Sequence, residues 1–390
     1  MIRTWMTLAA GVFLTAIGGC DESQLPPDDV LTALSKHNDE IGAALQSLCP
    51  IETDADGQIV AIDLTNLQVS DRGLDRIAEL PRLRRLYLSS PAIGETGLTS
   101  LRRSDTLETL WINAGTLDAS AWRGLGSLKQ LKRLRLAATP LLPSSGQQLA
   151  NLEKLEFLDL TAAGATNETV AALPQLEHLH TLILDQARIE DDVAGSLATM
   201  RSLRRLSLNS VPIHDVSLER LAALPNLERL DLSGTQVTDA GLVHLTSLAR
   251  LNQLGLNSTA ITDTGCKQLG KIRSLKFLDL QDLTFGEAGS RSLAQLENLV
   301  ELRLNGCPIG DKAVTVLAGL ARLELLNINR TRVSDVGLSA LEGHKNLRIL
   351  YVETTRATDE GIAKLVRTLP DCRVVTSAAL GLPEPGTLEK

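Results

Sequence analysis

From Leu83 onward the chain repeats every 24 residues, without one insertion or deletion. The pattern Leu-x-x-Leu-x-Leu, with Ile112, Ile328 and Val352 in the last slot of three units, begins at Leu83, Leu107, Leu131, Leu155, Leu179, Leu203, Leu227, Leu251, Leu275, Leu299, Leu323 and Leu347. One step further back, Ile59, Ile62 and Leu64 fill the same three slots, which makes thirteen units. A fixed period of this length marks a solenoid, because each unit is one supersecondary element whose apolar side only its neighbours can cover. Length alone, at 390 residues, suggests two or three globular domains. The unbroken register predicts one elongated domain instead.

Within a unit, positions one, four and six point into the core. Positions two, three, five, seven and eight lie on or beside a short parallel strand and face outward. The most regular unit is Leu227 to Arg250, LERLDLSGTQVTDAGLVHLTSLAR. There Thr238 and Asp239 offer an N-cap oxygen and a first-turn carboxylate to a helix that buries Leu242, Leu245 and Leu248. Both ends of such a stack need covers. Val30, Leu31, Leu34, Ile41, Leu45 and Leu48 recur at helical spacing and are expected to cap the first rung, with Asp54 to Gly57 turning into the first strand. At the far end Leu369 to Val375 leaves the register and is expected to add a sealing strand. Residues 376–390 carry two Pro and two Gly with no periodicity and read as a disordered tail.

Residues 1–20 stand outside this pattern. Arg3 is a minimal positive region, and Trp5 to Ile17 is an apolar stretch too short for a comfortable membrane span. It ends in Ile17-Gly18-Gly19-Cys20, which looks like a bacterial lipobox, where the cysteine is lipidated and becomes the first residue of the mature protein. A plain anchor helix with an incidental cysteine is the alternative. Acylation at Cys20 would bury enough CH₂ groups, at about 0.8 kcal/mol each, to anchor the chain without a spanning helix. The expected organisation is a leader over 1–20, a tether and helical cap over 21–58, repeats over 59–375 and the tail. The expected location is the bacterial envelope, lipid-anchored and outside the cytoplasm.

The consensus L-x-x-L-x-L-x-x-T-x-I/V-T/S-D-x-G-L-x-x-L-x-x-L, present at Leu227, Leu251 and Leu323, resembles leucine-rich repeats of the cysteine-containing and GALA-like kind. These occur in F-box-associated proteins, bacterial effectors and bacterial envelope lipoproteins. The resemblance covers residues 59–375. It implies an α/β fold, a curved right-handed solenoid (a horseshoe) with a concave parallel β-sheet and short convex helices, used to bind partners. One departure concerns position nine, where many such repeats carry an Asn ladder. Here it is often Thr: Thr139, Thr235, Thr259, Thr331 and Thr355. The ubiquitin-ligase association does not transfer, since 21–58 is too short for an F-box.

The outward strand positions form a grid on which a ligand site can be sought. Five of the seven aromatics after Cys20 fall there: Tyr87, Trp111, Phe157, Phe277 and Tyr351. Large side chains left in water on a concave sheet are a common footprint of a binding surface. Around Trp111 lie Arg84, Arg85, Lys132, Arg133 and Arg135, a basic patch on a chain of net charge −8. Such a patch suits an acidic protein segment or an acidic glycan, with Tyr87, Trp111 and Phe157 as apolar anchors. The same residues also fit an internal ladder, with Tyr87, Trp111 and Arg135 stacked one rung apart. Ten of thirteen units carry Asp or Glu at position thirteen; the exceptions, Ala119, Pro143 and Asn167, are consecutive, and Pro140 and Pro143 are expected to break a helix start.

Other chemistry finds little support. Asp191, Asp215, Asp239 and Asp263 could mimic a calcium ladder, but capping of their own helices accounts for them. His178 and His180 have strand-like spacing without companion ligands, so no metal or cofactor is expected. Cys49, Cys266, Cys307 and Cys372 read as buried small hydrophobes; Cys266 and Cys307 sit two rungs apart, roughly 10 Å, beyond disulfide reach. No P-loop, G-x-S-x-G, H-E-x-x-H or Cys-x-x-Cys motif is present. Interleaved charges exclude wholesale nucleic-acid binding. The expectation is a non-enzymatic solenoid that binds a protein partner. Acidic glycan binding and a spacer without a ligand are the alternatives.

Overall fold

The computed structural model describes residues 44–67, 69–89, 93–113 and 117–376. Cys20, the leader, the tether, residues 30–43 of the expected helical cap and residues 377–390 of the tail lie outside the described residues.

Fifteen strands form one sheet in strict chain order. The first, Ile51–Thr53, runs antiparallel to Ile59–Leu64, with Ile51 opposite Ile62. All later neighbours are parallel, and each is displaced by one repeat. Position five therefore forms a continuous row: Asp63, Tyr87, Trp111, Arg135, Asp159, Ile183, Ser207, Asp231, Gly255, Asp279, Arg303, Asn327, Tyr351 and Val375. A short helix follows nearly every strand, from Asp71–Ile77 to Asp359–Thr368. Strands stack about 4.8 Å apart whereas helices need 8–10 Å, so the stack bends with the sheet on its inner side.

The core repeats as the sequence does. In the unit from Leu227 the buried apolar side chains are Leu227, Leu230, Leu232, Val237, Leu242, Leu245 and Leu248. Trp122 and Phe285 are wholly buried, while Tyr87, Trp111, Phe157, Phe277 and Tyr351 remain partly exposed on the inner face. Just past each strand, position eight takes a left-handed backbone in ten consecutive rungs, from Ala138 (φ 54°) through Gly234 (φ 65°) to Thr354 (φ 53°). That turn costs a non-glycine residue. The same rungs recover hydrogen bonds, because the position-eight N–H reaches a carbonyl of the next rung, as Gln186 does to Asn209 at 2.8 Å. At position nine the Thr hydroxyls replace an Asn ladder. Thr235, Thr259 and Thr331 donate to the position-six carbonyls of their own units at 2.6–2.7 Å.

Three expectations change. The sheet begins with Ile51–Thr53, inside the segment expected to be tether and helical cap, so a hairpin closes the first rung beside the buried Leu45. The final strand, Arg373–Val375, stays in register, with Val374 opposite Leu350, rather than leaving it. In the most regular unit the helix is only Leu242–Leu245. Its first turns close through i to i+3 bonds, Gly241 N–H to Thr238 and His244 N–H to Gly241, around a glycine of low helix propensity.

The position-thirteen aspartates do not cap their own helices. From Asp71 to Asp335 each reaches into the next rung. Asp263 Oδ1 accepts from the N–H of Gly286 at 2.8 Å and of Gly289 at 2.6 Å. Asp311 does the same with Ser334 (2.7 Å) and Gly337 (3.1 Å). In two of the three rungs where the acid is missing the helix supplies its own cap: Asp118 accepts from Ala121 N–H at 2.7 Å, and Thr166 and Thr169 form a capping box. Pro143 delays the helix to Ser145. That helix has no side-chain cap, whereas Asn167 makes the reach that the aspartates make, accepting from Glu190 N–H at 3.1 Å.

Candidate functional site

The inner face at rungs two to five holds every residue of the candidate patch. Strand register places Tyr87, Trp111 and Arg135 side by side at position five, and Arg85, Arg133 and Phe157 at position three. Tyr87 and Trp111 meet edge to face, with ring centroids 4.8 Å apart and planes at 82°. The Arg135 guanidinium lies 5.3 Å from the Trp111 ring, and that of Arg133 lies 4.6 Å from Phe157. Burial raises the Tyr87 hydroxyl pKa, partly offset by Arg85. These contacts restrict the rotamers of an aromatic row that still presents area to solvent.

Most of the charge is spent within the molecule. Arg85 pairs with Glu52 at 2.7 Å and Lys132 with Glu108 at 2.8 Å, and Glu108 raises the Lys132 pKa. Arg135 Nε lies 3.1 Å from Asp159, a carboxylate only 4% exposed that also accepts from Thr161 N–H and Oγ. Arg84 and Arg133 are exposed and form no ion pair among the described residues. The patch reads as basic in sequence. In space, Glu52, Glu108 and Asp159 neutralise three of its five cations, and the first of these stands on the strand that periodicity did not reveal.

One group in the row is unmet. Trp111 Nε1 is buried and has no hydrogen-bond acceptor among the described residues. An unpaired buried donor costs about 1–3 kcal/mol. The indole N–H of Trp122, wholly buried in the core, is unmet in the same way, so it is the partial exposure of the Trp111 ring that sets this residue apart. The ladder of Tyr87, Trp111 and Arg135 is real; it accounts for the rigidity of the row and not for its unmet N–H.

Further along the same face the sign of the charge changes. Asp185, Asp231 and Asp279 stand at positions seven, five and five of rungs six, eight and ten, between Asp159 and the buried Asn305. Burial raises the Asp185 pKa, and its Ser207 and Asn209 donors only partly offset this; burial also raises that of Asp279. The signal for these residues was present in the position-five and position-seven columns, downstream of the aromatic cluster. Cys49, Cys266, Cys307 and Cys372 are free and buried. No group of three or more His, Cys, Asp or Glu is placed to hold a metal among the described residues.

A family model described as "Leucine Rich repeat" matches residues 223–248 and 295–318. Among solved structures, an internalin from Listeria monocytogenes is similar at a TM-score of 0.57 and 20% identity, covering 83% of this chain and 93% of its own. A leucine-rich repeat protein of Leptospira interrogans is similar at a TM-score of 0.51 and 18% identity, covering 85% and 97%. No curated protein matches the sequence. At these identities the likeness concerns the fold.

Proposed function

We propose, for this leucine-rich repeat solenoid, that the inner face of rungs two to five binds a macromolecular partner, a protein, through Tyr87, Trp111 and Phe157 with Arg84 and Arg133 at the margin. The fold supports binding by a preformed surface, since parallel strands fix every inner-face side chain in register. The observation that carries the reading is the braced aromatic row: Trp111 is held between Tyr87 and Arg135, partly exposed, with its indole N–H unpartnered among the described residues. Rigid, partly exposed aromatics lose little side-chain entropy on binding and are typical hot spots. Neutralisation of Arg85, Lys132 and Arg135 weakens the acidic-glycan alternative.

The proposal extends to location and organisation. Residues 1–20 serve as a lipoprotein leader, Cys20 carries the lipid, and the mature chain stands on the envelope outside the cytoplasm. The motif Ile17-Gly18-Gly19-Cys20 supports this. Residues 21–50 link the anchor to the first hairpin. Metabolic labelling with a clickable fatty acid should mark the native chain and not a Cys20→Ser variant; equal labelling would refute the anchor.

The binding claim is tested by affinity capture with the full chain in detergent, native against Trp111→Ala/Arg133→Glu. Protein extracts and purified wall polymers from the source cells serve as ligands. A protein partner held by the native chain and lost by an equally stable variant is expected. Retention of the wall polymer alone would transfer the site to a glycan, and identical profiles would leave the solenoid a spacer.

A further inference from the structure

Beyond Phe157 the inner face presents hydrogen-bond acceptors that the described residues do not satisfy fully. Asp159 is already engaged by Arg135 and Thr161. Asp185, one rung on, has hydrogen-bond donors but no ion pair among the described residues. Its Oδ1 accepts from Ser207 Oγ at 2.5 Å and from Asn209 N–H at 3.0 Å, while the charges acting on it are those of Asp231 and Asp159. Both are negative. Asp231 and Asp279 follow on alternate rungs, and between them in register stands Gly255. A Cβ at Gly255 would meet Asp231 Oδ1 at 2.6 Å, so the Asp231 carboxylate leans into the space that the missing side chain leaves.

An independent feature closes the strip. Asn305 is 8% exposed. Gln281 donates from Nε2 to Asp279 at 2.7 Å, so its Oε1 must face Asn305, which donates from Nδ2 at 2.5 Å. A carboxylate cannot donate; this chain of contacts therefore fixes both amide orientations. It leaves Asn305 Oδ1 buried, without a donor among the described residues. Between Asp185 and Asn305 the buried side-chain atom left unmet among the described residues is this acceptor. Of the cations of these rungs, Arg204, Arg205, Arg229 and Lys276 stand at positions two and three, toward the other edge of the face. Arg303 stands beside Asp279 at 4.0 Å and pairs with Glu301 at 2.6 Å, which leaves Asp185 and Asp231 as the carboxylates of the strip without an ion pair among the described residues.

We infer that the strip formed by Asp185, Asp231, Gly255, Asp279 and Asn305 docks a basic, extended segment of the protein partner, continuous with the aromatic row. The inference rests on the binding face proposed above and specifies its partner. Alternate rungs are about 10 Å apart, the length of three extended residues. A segment crossing the strands with arginine or lysine at every third residue would meet the carboxylates in turn, with its apolar residues on Phe157, Trp111 and Tyr87. Recognition is thus of positive charge, opposite to what Arg84, Arg85, Lys132, Arg133 and Arg135 suggest in sequence.

The test uses the full chain in nonionic detergent and two fluorescent dodecapeptides, each with two Trp. One carries four Arg at every third position; the other carries four Glu there. The Arg peptide is expected to bind at least tenfold more tightly. Asp185→Asn should weaken it at least fivefold without lowering the melting temperature, because Asn retains an acceptor for Ser207 and Asn209. Glu219→Gln, the same charge change on an outer helix, should leave binding within twofold. Preference for the Glu peptide, binding of neither, or equal effects of Asp185→Asn and Glu219→Gln would overturn the inference. A Trp111→Ala arm separates the two sites. Loss there without loss in Asp185→Asn keeps the aromatic row and removes the strip, and the reverse keeps the strip alone.

Discussion

The Asp335 carboxylate occupies the space in which a side chain at Gly361, one rung later, would begin. The same relation joins Asp71 to Gly97, Asp263 to Gly289 and Asp311 to Gly337, where a Cβ added to the glycine would stand 2.5–2.7 Å from a carboxylate oxygen. Where position thirteen is the longer Glu95 or Glu287, the next rung carries Ala121 or Ala313; after Asp191 it carries Ser217, whose hydroxyl donates to that carboxylate at 2.5 Å. The D-x-G element of the repeat is therefore one contact across two rungs.

This contact predicts a reversal of sign. Gly361→Ala alone should destabilise the protein by about 1–3 kcal/mol, as overpacking does. In an Asp335→Ala background the collision is gone, and helix propensity should make Gly361→Ala stabilising by about 1 kcal/mol. Chemical denaturation of the four variants checks this; additive effects would refute the contact.

Arg135 and Asp159 should behave as a structural pair. Arg135→Ala strands a buried carboxylate and should cost about 2–4 kcal/mol. Asp159→Asn should recover much of that loss, because Asn still accepts from Thr161. No recovery in the double variant would mean that Arg135 acts through its contact with Trp111 instead.

The pH dependence of stability should run in opposite directions at two aspartates. Burial raises the Asp185 pKa, so the folded state binds its proton more tightly than the unfolded chain does. Its charge therefore costs stability increasingly as pH rises from the unfolded carboxylate value through the raised one. Asp185→Asn should gain stability at neutral pH and lose that gain in acid. Asp335 is lowered by the Thr358 N–H and hydroxyl, so it contributes stability that is lost as pH falls through its depressed value. Asp335→Asn should be less stable at neutral pH, with the difference fading in acid. Parallel pH profiles for the two variants would contradict these assignments.

The buried thiols should be inert while the protein is folded. Burial pushes Cys49 and Cys372 up to about 11 and Cys307 up to about 12, and Cys266 higher still. Thiolate is the reactive form. Maleimide at about pH 7.5 should label these four on the order of a hundredfold more slowly in native protein than in denaturant. Rapid native labelling of any of them would show that its rung opens.

The fold was legible because Leu at positions one, four and six has one periodic explanation, and the strand at each of thirteen rungs followed from it. Ile51–Thr53 was not legible, since a three-residue strand has too few alternations to reveal a period. The carboxylates at position thirteen were visible as a column, but their partners one rung away lie 23 residues on, so a local capping rule attracted the reading. The same limit shaped the site. Tyr87, Trp111 and Arg135 were found because the repeat defines a column, whereas the pairing of Arg85 with Glu52 depends on the hidden hairpin. Asp185 and Asn305 carry no motif at all; their meaning comes from burial and from what fails to reach them.

The most direct test of the central claim is photocrosslinking from the inner face in the cells that express the protein. p-Benzoylphenylalanine at Tyr87 should give a discrete protein adduct. The same group at Glu219, on an outer helix, should not, and Trp111→Ala should abolish the Tyr87 adduct. Equal adducts from the two positions, or none from Tyr87, would contradict a binding site on the inner face.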